Sequence, residues 1–241
     1  MTFSVKELDY RETPLGDISL RVRREPRLGN IELYEVKLGD EFLMSSLFTE
    51  AEEQLATLAL DRLSGDSLNI VVGGLGLGYT ADAVLNNSRV NSLVVIDVME
   101  AVIEWHQTGL VPLGERIASD SRCALVQGDF FALAGSDAGF HAAQSEGRLE
   151  DAILLDIDHS PSHWLNSGNS SFYTPQSLRA MSAKLKPDGI FGLWSNDPPD
   201  AEFVRILEQS FARCESHPVV FDNPYSGGES SNTVYLGFKG K

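Results

Sequence analysis

The sequence predicts an α/β fold: an open, mostly parallel sheet of seven strands that ends in an antiparallel hairpin and is preceded by a small β unit. Three observations predict it. From Leu68 onward, short apolar runs (NIVVGG, SLVVID, ALVQGD, AILLDID, GIFGLWS) alternate with stretches of helical spacing, the pattern of parallel strands covered by helices on both faces. The last two runs, HPVVFD and NTVYLGFK, are joined by NPYSGGESSN with no helix between them, so they pair as an antiparallel hairpin. Before all of these, Ile18 to Met44 alternates apolar and polar residues around the turn signals PRLGN and LGD, predicting about three antiparallel strands.

Residues 1–48 are therefore read as a small N-terminal β domain and residues 49–241 as the main, ligand-binding domain. The main domain opens on FTEAEEQLATLALDRL, where Ala51, Leu55 and Leu58 recur at helical spacing and acidic residues occupy the first turn, the end at which the helix dipole favours them. Further helices are expected near Tyr79 to Asn86, Met99 to Gly109, Pro175 to Leu185 and Ala201 to Ala212. A seven-stranded sheet with its final strand reversed resembles the class I methyltransferase fold, a Rossmann-like architecture, more than a dinucleotide dehydrogenase.

Composition narrows the partners. A chain of 241 residues that is 42% hydrophobic is long enough for one large core. It has no apolar run of membrane-spanning length, and MTFSVKELDY lacks the basic and then apolar blocks of a signal peptide, so a cytoplasmic protein is expected. The formal charge of −16 is spread along the chain; it serves solubility, repels phosphate backbones and anionic membranes, and tolerates a cationic small molecule. Neither nucleic acid nor membrane is expected as a partner. Cys123 and Cys214 have no Cys or His at ligand spacing and read as small hydrophobes, so no metal is expected. His106, His141 and His163 are expected at the surface.

The chemistry gathers at strand ends. Gly73, Gly74, Gly76 and Gly78 follow the first core strand, where glycine lets a ligand approach the backbone and a helix N-terminus offers free N–H groups. A tight turn without a ligand is the alternative. Gly76, Gly78 and Ala81 also fit the nicotinamide pattern G-x-G-x-x-A, but the match falls late, inside the helix start, and the loop lacks positive charge for a pyrophosphate. Asp97 ends the second strand, where a carboxylate either accepts two ribose hydroxyls, at roughly 1.5 to 3 kcal/mol each when buried, or caps the next helix. Gly128 and Asp129 repeat the arrangement after the third strand; Asp129 either takes an adenine amine, flanked by Phe130 or Phe131, or caps a helix. Asp156, Asp158 and His159 leave the fourth strand together as the densest titratable cluster, of which a cap before Pro161 would explain one. Trp194, at the end of LWS, walls a pocket or packs in the core.

These residues resemble the spermidine synthases, the polyamine aminopropyltransferases, over nearly the whole chain. In that family a small β domain precedes a methyltransferase-like domain, a glycine loop reads GGGDG, an acid after the second strand takes the ribose and a G-D pair after the third takes the adenine. VNSLVVID aligns without a gap and implies that Asp97 is the ribose acid; Gly128 and Asp129 match the adenine pair, Asp156 the catalytic carboxylate of the D-S/T-S/T-D-P segment, and KPDGIFGLWS the family's L-K-P-x-G-I-F strand. The chain departs from the family at three places. GGLGLG replaces GGGDG, the second acid of the segment falls on His159 with Asp158 adjacent, and the family's Y-Q pair falls on Glu52 and Glu53.

The resemblance implies polyamine-type chemistry: an adenosyl sulfonium donor, decarboxylated S-adenosylmethionine or S-adenosylmethionine itself, a cationic amine as acceptor, and room for a homodimer. Asp156 would orient the amine and take its proton, with His159 as alternative base, and Glu52 and Glu53 would hold a distal cationic end unless they are a solvated first helical turn. The rival readings are a methyltransferase, a non-catalytic adenosyl-ligand-binding homologue, and a nicotinamide oxidoreductase, against which the C-terminal hairpin stands.

Overall fold

In the computed structural model, which describes residues 5–141 and 147–241, the chain opens on a four-stranded antiparallel sheet ordered β1-β2-β3-β4 (Val5–Arg11, Ile18–Glu25, Ile31–Leu38, Glu41–Ser45). Residues 1–4, the start of the segment read for targeting, lie outside the described residues. The expected three strands are thus four. The one missed, β1, is an edge strand whose VKELDYR side chains are mostly exposed, so it carries no apolar alternation to read. In β2 and β3 the inward positions Ile18, Leu20, Val36 and Leu38 are buried and join the core of the main domain.

The main sheet is preceded by α1 (Glu50–Arg62) and runs β5 (Leu68–Gly73), α2 (Tyr79–Leu85), β6 (Val90–Asp97), α3 (Glu100–Gln107), α4 (Gly114–Ser119), β7 (Cys123–Gln127), α5 (Phe130–Gly135), β8 (Glu150–Leu155), α6 (Pro175–Ser182), β9 (Leu185–Ser195), α7 (Ala201–Glu208), β10 (Arg213–Asn223) and β11 (Gly228–Phe238). Its seven strands lie in the order β10-β11-β9-β8-β5-β6-β7. Neighbours from β9 to β7 pair in parallel, while β11 pairs antiparallel with both β10 and β9 and is the reversed strand. The hairpin is longer than its apolar runs suggested, because Asn223 pairs with Gly228 and the polar residues between Gly228 and Asn232 continue the ladder. The short helix α4 was not anticipated, and α5 only through the cap reading of Asp129; six residues give too little periodicity to read.

Local chemistry explains the helix starts. Thr174 accepts from the Ser177 amide ahead of Pro175, and Asp200 accepts from the Glu202 amide, so α6 and α7 each begin at a side-chain cap. The central strands are buried on both faces, unlike the edge strands β7 and β10. In β5, Ile70 and Val72 belong to a cluster under the N-terminal sheet, α1 and α3, whereas Val71 belongs to an aromatic cluster with Phe191, Phe203 and Tyr235 on the other face. Each fully buried aliphatic side chain contributes roughly 1.5 to 3 kcal/mol, which is why these runs read as continuously apolar.

Polar ties fasten the small sheet to the large one. Trp105 of α3 donates its indole N–H to Asp9 of β1 at 2.6 Å, and Arg11 bridges Asp9 and Glu104. At the far end Arg23 donates to the Tyr225 hydroxyl at 2.6 Å, which in turn donates to Glu25 at 3.0 Å, joining β2 to the hairpin turn. Among the described residues no helix is long and apolar enough to cross a membrane.

Candidate active site

Strand order creates the site. β5, β6 and β7 advance in one direction, and β8 then returns to the other side of β5, so the loops after β5 and β8 part and leave a crevice at the carboxyl edge of the sheet. A cleft of about 390 Å³ occupies it. Gly74 to Gly76 and Asp156 form the floor, Asp97 to Met99 and Gly128 to Phe131 one wall, and Leu15, Leu43 and Met44 of the N-terminal sheet the opposite one.

The four glycines divide by role. Gly74 and Gly76 line the cleft, whereas Gly73 and Gly78 do not. A Cβ at Gly73 would stand 2.5 Å from the Phe130 ring, and one at Gly78 2.5 Å from Ile117 and 2.9 Å from His106 Nε2, so these two serve packing between elements. Gly74 has φ +95°, and a Cβ there would meet the Asp156 carbonyl oxygen at 1.9 Å. His106, expected at the surface, is instead wholly buried beneath the glycine turn with Nδ1 2.9 Å from the Val102 carbonyl, and burial pushes its pKa down. His141 is likewise drawn inward, onto Glu150, while His163 remains exposed.

Asp97 sits on the cleft wall with one oxygen accepting from the Leu75 amide at 2.9 Å and the other from the Met99 amide at 2.8 Å. Burial pushes its carboxyl up, and those amides with that of Gly76 pull it back. With three of its roughly four acceptor sites taken, the carboxylate keeps one for a ligand hydroxyl. Asp129 caps α5, accepting from Phe131 and Ala132 amides at 2.9 and 3.2 Å through one oxygen, and with Gly128 it also faces the cleft. Capping and ligand contact are therefore compatible at this residue.

The acidic residues of the sequence reading separate sharply. Asp156 lies on the cleft floor, its amide bonded to the Gly73 carbonyl at 2.8 Å and its carboxylate accepting from the Thr80 hydroxyl at 2.7 Å. Burial pushes its carboxyl up to about 6, against the pull of Thr80. Glu52, on the inner face of α1, is 7% exposed and lines the same cleft. Burial, and then the charge of Asp156, push it well above the usual carboxylate range. The expectation of a solvated helical turn therefore fails for Glu52. It holds for Glu53, which is exposed, accepts from Thr49 at 2.9 Å and stands outside the cleft lining.

Asp158 does not reach the cleft. It is 1% exposed and accepts from the Leu165 amide, Asn169 and the Tyr173 hydroxyl at 2.8, 2.9 and 2.8 Å, which organises the loop that follows β8. His159 lines the cleft, but its Nε2 is 2.9 Å from Glu41 of β4. Trp194 both lines the cleft and packs on the core, satisfying both of its readings. Sequence reasoning missed Thr80, Tyr79 and Met44. Only the fold brings the first beneath Asp156 and the others to the rim of the glycine loop.

No protein-family model matches the sequence. Solved structures do resemble the chain. A spermidine synthase in complex with the transition-state analogue AdoDATO superposes with TM-score 0.73 at 18% identity, covering 98% of this chain and 74% of its own. The spermidine synthase from Thermotoga maritima gives TM-score 0.70 at 18% identity, covering 98% and 73%. A probable spermidine synthase from Corynebacterium glutamicum gives 0.63 at 13%, covering 98% and 81%. The chain has the spermidine synthase fold. The expected fold class, including the reversed strand and the N-terminal sheet, agrees with this likeness.

Two predictions follow from the geometry of the cleft floor. Gly74→Ala forces a side chain into the Asp156 carbonyl at a left-handed position; it is expected to cost at least about 3 kcal/mol in urea unfolding. Asp156, ordinarily near 3.8 and raised to about 6, binds its proton more tightly in the native than in the unfolded chain. Its contribution is favourable at low pH and is lost as pH rises from about 4 through 6, amounting to about 3 kcal/mol. Asp156→Asn is therefore expected to equal the parent in stability near pH 4 and to exceed it at pH 7 to 8, measured by unfolding across that range.

Proposed function

We propose that the protein is a transferase of spermidine-synthase type, moving an alkyl group, in the first instance aminopropyl, from an adenosyl sulfonium to an amine. The observation that carries this reading is the character of the cleft: Glu52, Asp97, Asp129 and Asp156 line it, and no lysine or arginine does among the described residues. Such a site favours cations and disfavours a phosphate or carboxylate. A nicotinamide dinucleotide, with its pyrophosphate, is the wrong charge for it. A neighbour of the same fold carries the transition-state analogue AdoDATO, which supports an adenosyl ligand.

In this reading Asp97 holds a ribose hydroxyl, Gly128 and Asp129 meet the adenine beside Phe131, and Gly74 and Gly76 let the sulfonium lie against the backbone. The sulfonium already carries its leaving group, so the protein's task is alignment and proton removal. The amine nitrogen's lone pair forms the new N–C bond as the C–S bond breaks; the electron pair goes to sulfur, leaving a neutral thioether. The amine must be neutral when it attacks, and deprotonating an alkylammonium at pH 7 costs about 4 to 5 kcal/mol. Asp156, ionised above pH 6, lying on the cleft floor and held by Thr80, is the proton acceptor.

Methyl transfer from S-adenosylmethionine is the second reading. In GGLGLG a leucine or a glycine stands where the resembled family has the loop aspartate that contacts the donor's tail, and this favours it. Against it, the carboxylate of that donor would find no cation in the lining.

Calorimetry with decarboxylated S-adenosylmethionine, S-adenosylmethionine, methylthioadenosine and NAD discriminates among these. The decarboxylated donor is expected to bind at least tenfold more tightly than the carboxylated one; equal affinity would remove the preference for aminopropyl transfer, and preference for NAD would end both readings. In the same assays Asp156→Asn should retain methylthioadenosine affinity and lose about 10² to 10⁴ in turnover. Unaltered turnover would dismiss Asp156 as the base.

A further inference from the structure

The acceptor half of the cleft is unusually short of charge. Of the carboxyl groups in the lining, Asp97 and Asp129 belong to the nucleoside end and are engaged with backbone amides, which leaves Glu52 and Asp156 for amines. The remaining acids around the cleft are spent elsewhere. Asp158 is buried on Leu165, Asn169 and Tyr173; Glu53 points to solvent; Glu41 is paired with His159.

What surrounds the space beyond Asp156 is apolar. Ile157 follows it in the chain, Leu165 comes from the loop that Asp158 anchors, and Trp194 comes from the end of β9. Leu43 completes the wall: it is the bulged residue of β4, unpaired between Phe42 and Met44, so that it and Met44 both line the cleft, and the Glu41 to His159 contact brings that strand over it. Asn166, Asn169 and the buried indole N–H of Trp194, which has no partner among the described residues, are the other polar groups on this side. They are neutral, with the Asn166 oxygen accepting from Gly168 and the Asn169 amide donating to Asp158.

Resting on the amine-acceptor reading above, we infer that the acceptor is a monoamine with an apolar body, its single ammonium received at Glu52 and Asp156 and its far end set against Leu43, Leu165 and Trp194. A diamine of the same length would place its second ammonium, stripped of water, against apolar walls and an imidazole already paired with Glu41. A buried charge without a partner is disfavoured far more than an alkyl tail in the same place. The inference does not depend on the donor. If Glu52 also meets a donor ammonium, Asp156 alone remains for the acceptor, and the far end is no less apolar.

The test is a pair of calorimetric titrations at pH 8, n-hexylamine and 1,6-diaminohexane, run on the protein both free and with methylthioadenosine. The monoamine is expected to bind at least tenfold more tightly. His159→Asp, which restores an acid at the far end, is expected to shift the preference at least tenfold toward the diamine. Leu43→Asp, which adds one from a different element, should do the same, so the test survives if either variant fails to fold. A diamine that binds the parent protein as tightly as the monoamine overturns the inference while leaving the transferase reading intact. Failure of both amines to bind, with methylthioadenosine bound normally, overturns the inference together with the amine chemistry. Failure of methylthioadenosine itself counts against the adenosyl reading, and the titrations on the free protein still decide the amine preference.

Discussion

The structure turns on the close approach of two strand ends. A side chain at residue 74 would stand 1.9 Å from the carbonyl oxygen of Asp156, so β5 and β8 can end in contact, before their loops part, only because residue 74 is glycine. One backbone bond stitches the junction, Asp156 N–H to the Gly73 carbonyl, while Gly74 N–H bonds to the Ile96 carbonyl of β6 on the other side. Everything functional is referred to that junction. It aims Asp156 at the cleft floor, sets the glycine turn beside Asp97, and starts α2 where Thr80 can reach the Asp156 carboxylate.

Placing carboxyl groups there works against folding. Asp156 and Glu52 are both desolvated, and the charge of the first resists that of the second, so neither would occupy this position for stability alone. The surrounding core offsets the cost. Leu55, Ala56 and Ala59 on the buried face of α1, with Ile70, Val72 and Leu154 in the strands, fix the helix that carries Glu52 against the strands that carry Asp156. The N-terminal sheet completes the enclosure, and its ties through Trp105 to Asp9 and Arg23 to Tyr225 hold that wall in place. A cleft built this way exchanges some stability for carboxyl groups gathered at its floor.

The legibility of the sequence followed burial. Strands covered on both faces, β5, β8 and β9 above all, leave continuous apolar runs and were readable with their ends; β1, at the edge of the small sheet, leaves none. Asp97, Asp129 and Asp156 could be placed because each follows such a run, and a residue in that position stands at the carboxyl edge. Glu52 and Glu53 looked alike as neighbours in an acidic first turn, yet the spacing did contain the answer: Glu52 falls on the face of Leu55, Ala56 and Ala59, and Glu53 on that of Thr57. His106 carried the same signal, sharing its helical face with Val102. Asp158 carried none, because its partners Leu165, Asn169 and Tyr173 come from a loop whose path no periodicity describes.

Periodicity and position at a strand end are local properties, and from them the chain alone determined its α/β order, its reversed last strand, its glycine turn and the edge of the sheet at which its acids stand. Which of those acids share a cleft is a matter of elements far apart in the chain. Glu52 and Asp156 meet only when α1 packs across the sheet, His159 is taken up by Glu41 only when the N-terminal sheet folds over the cleft, and Asp158 is withdrawn only when its loop closes. Those pairings depend on desolvation and contact in three dimensions, so the tertiary structure decided them.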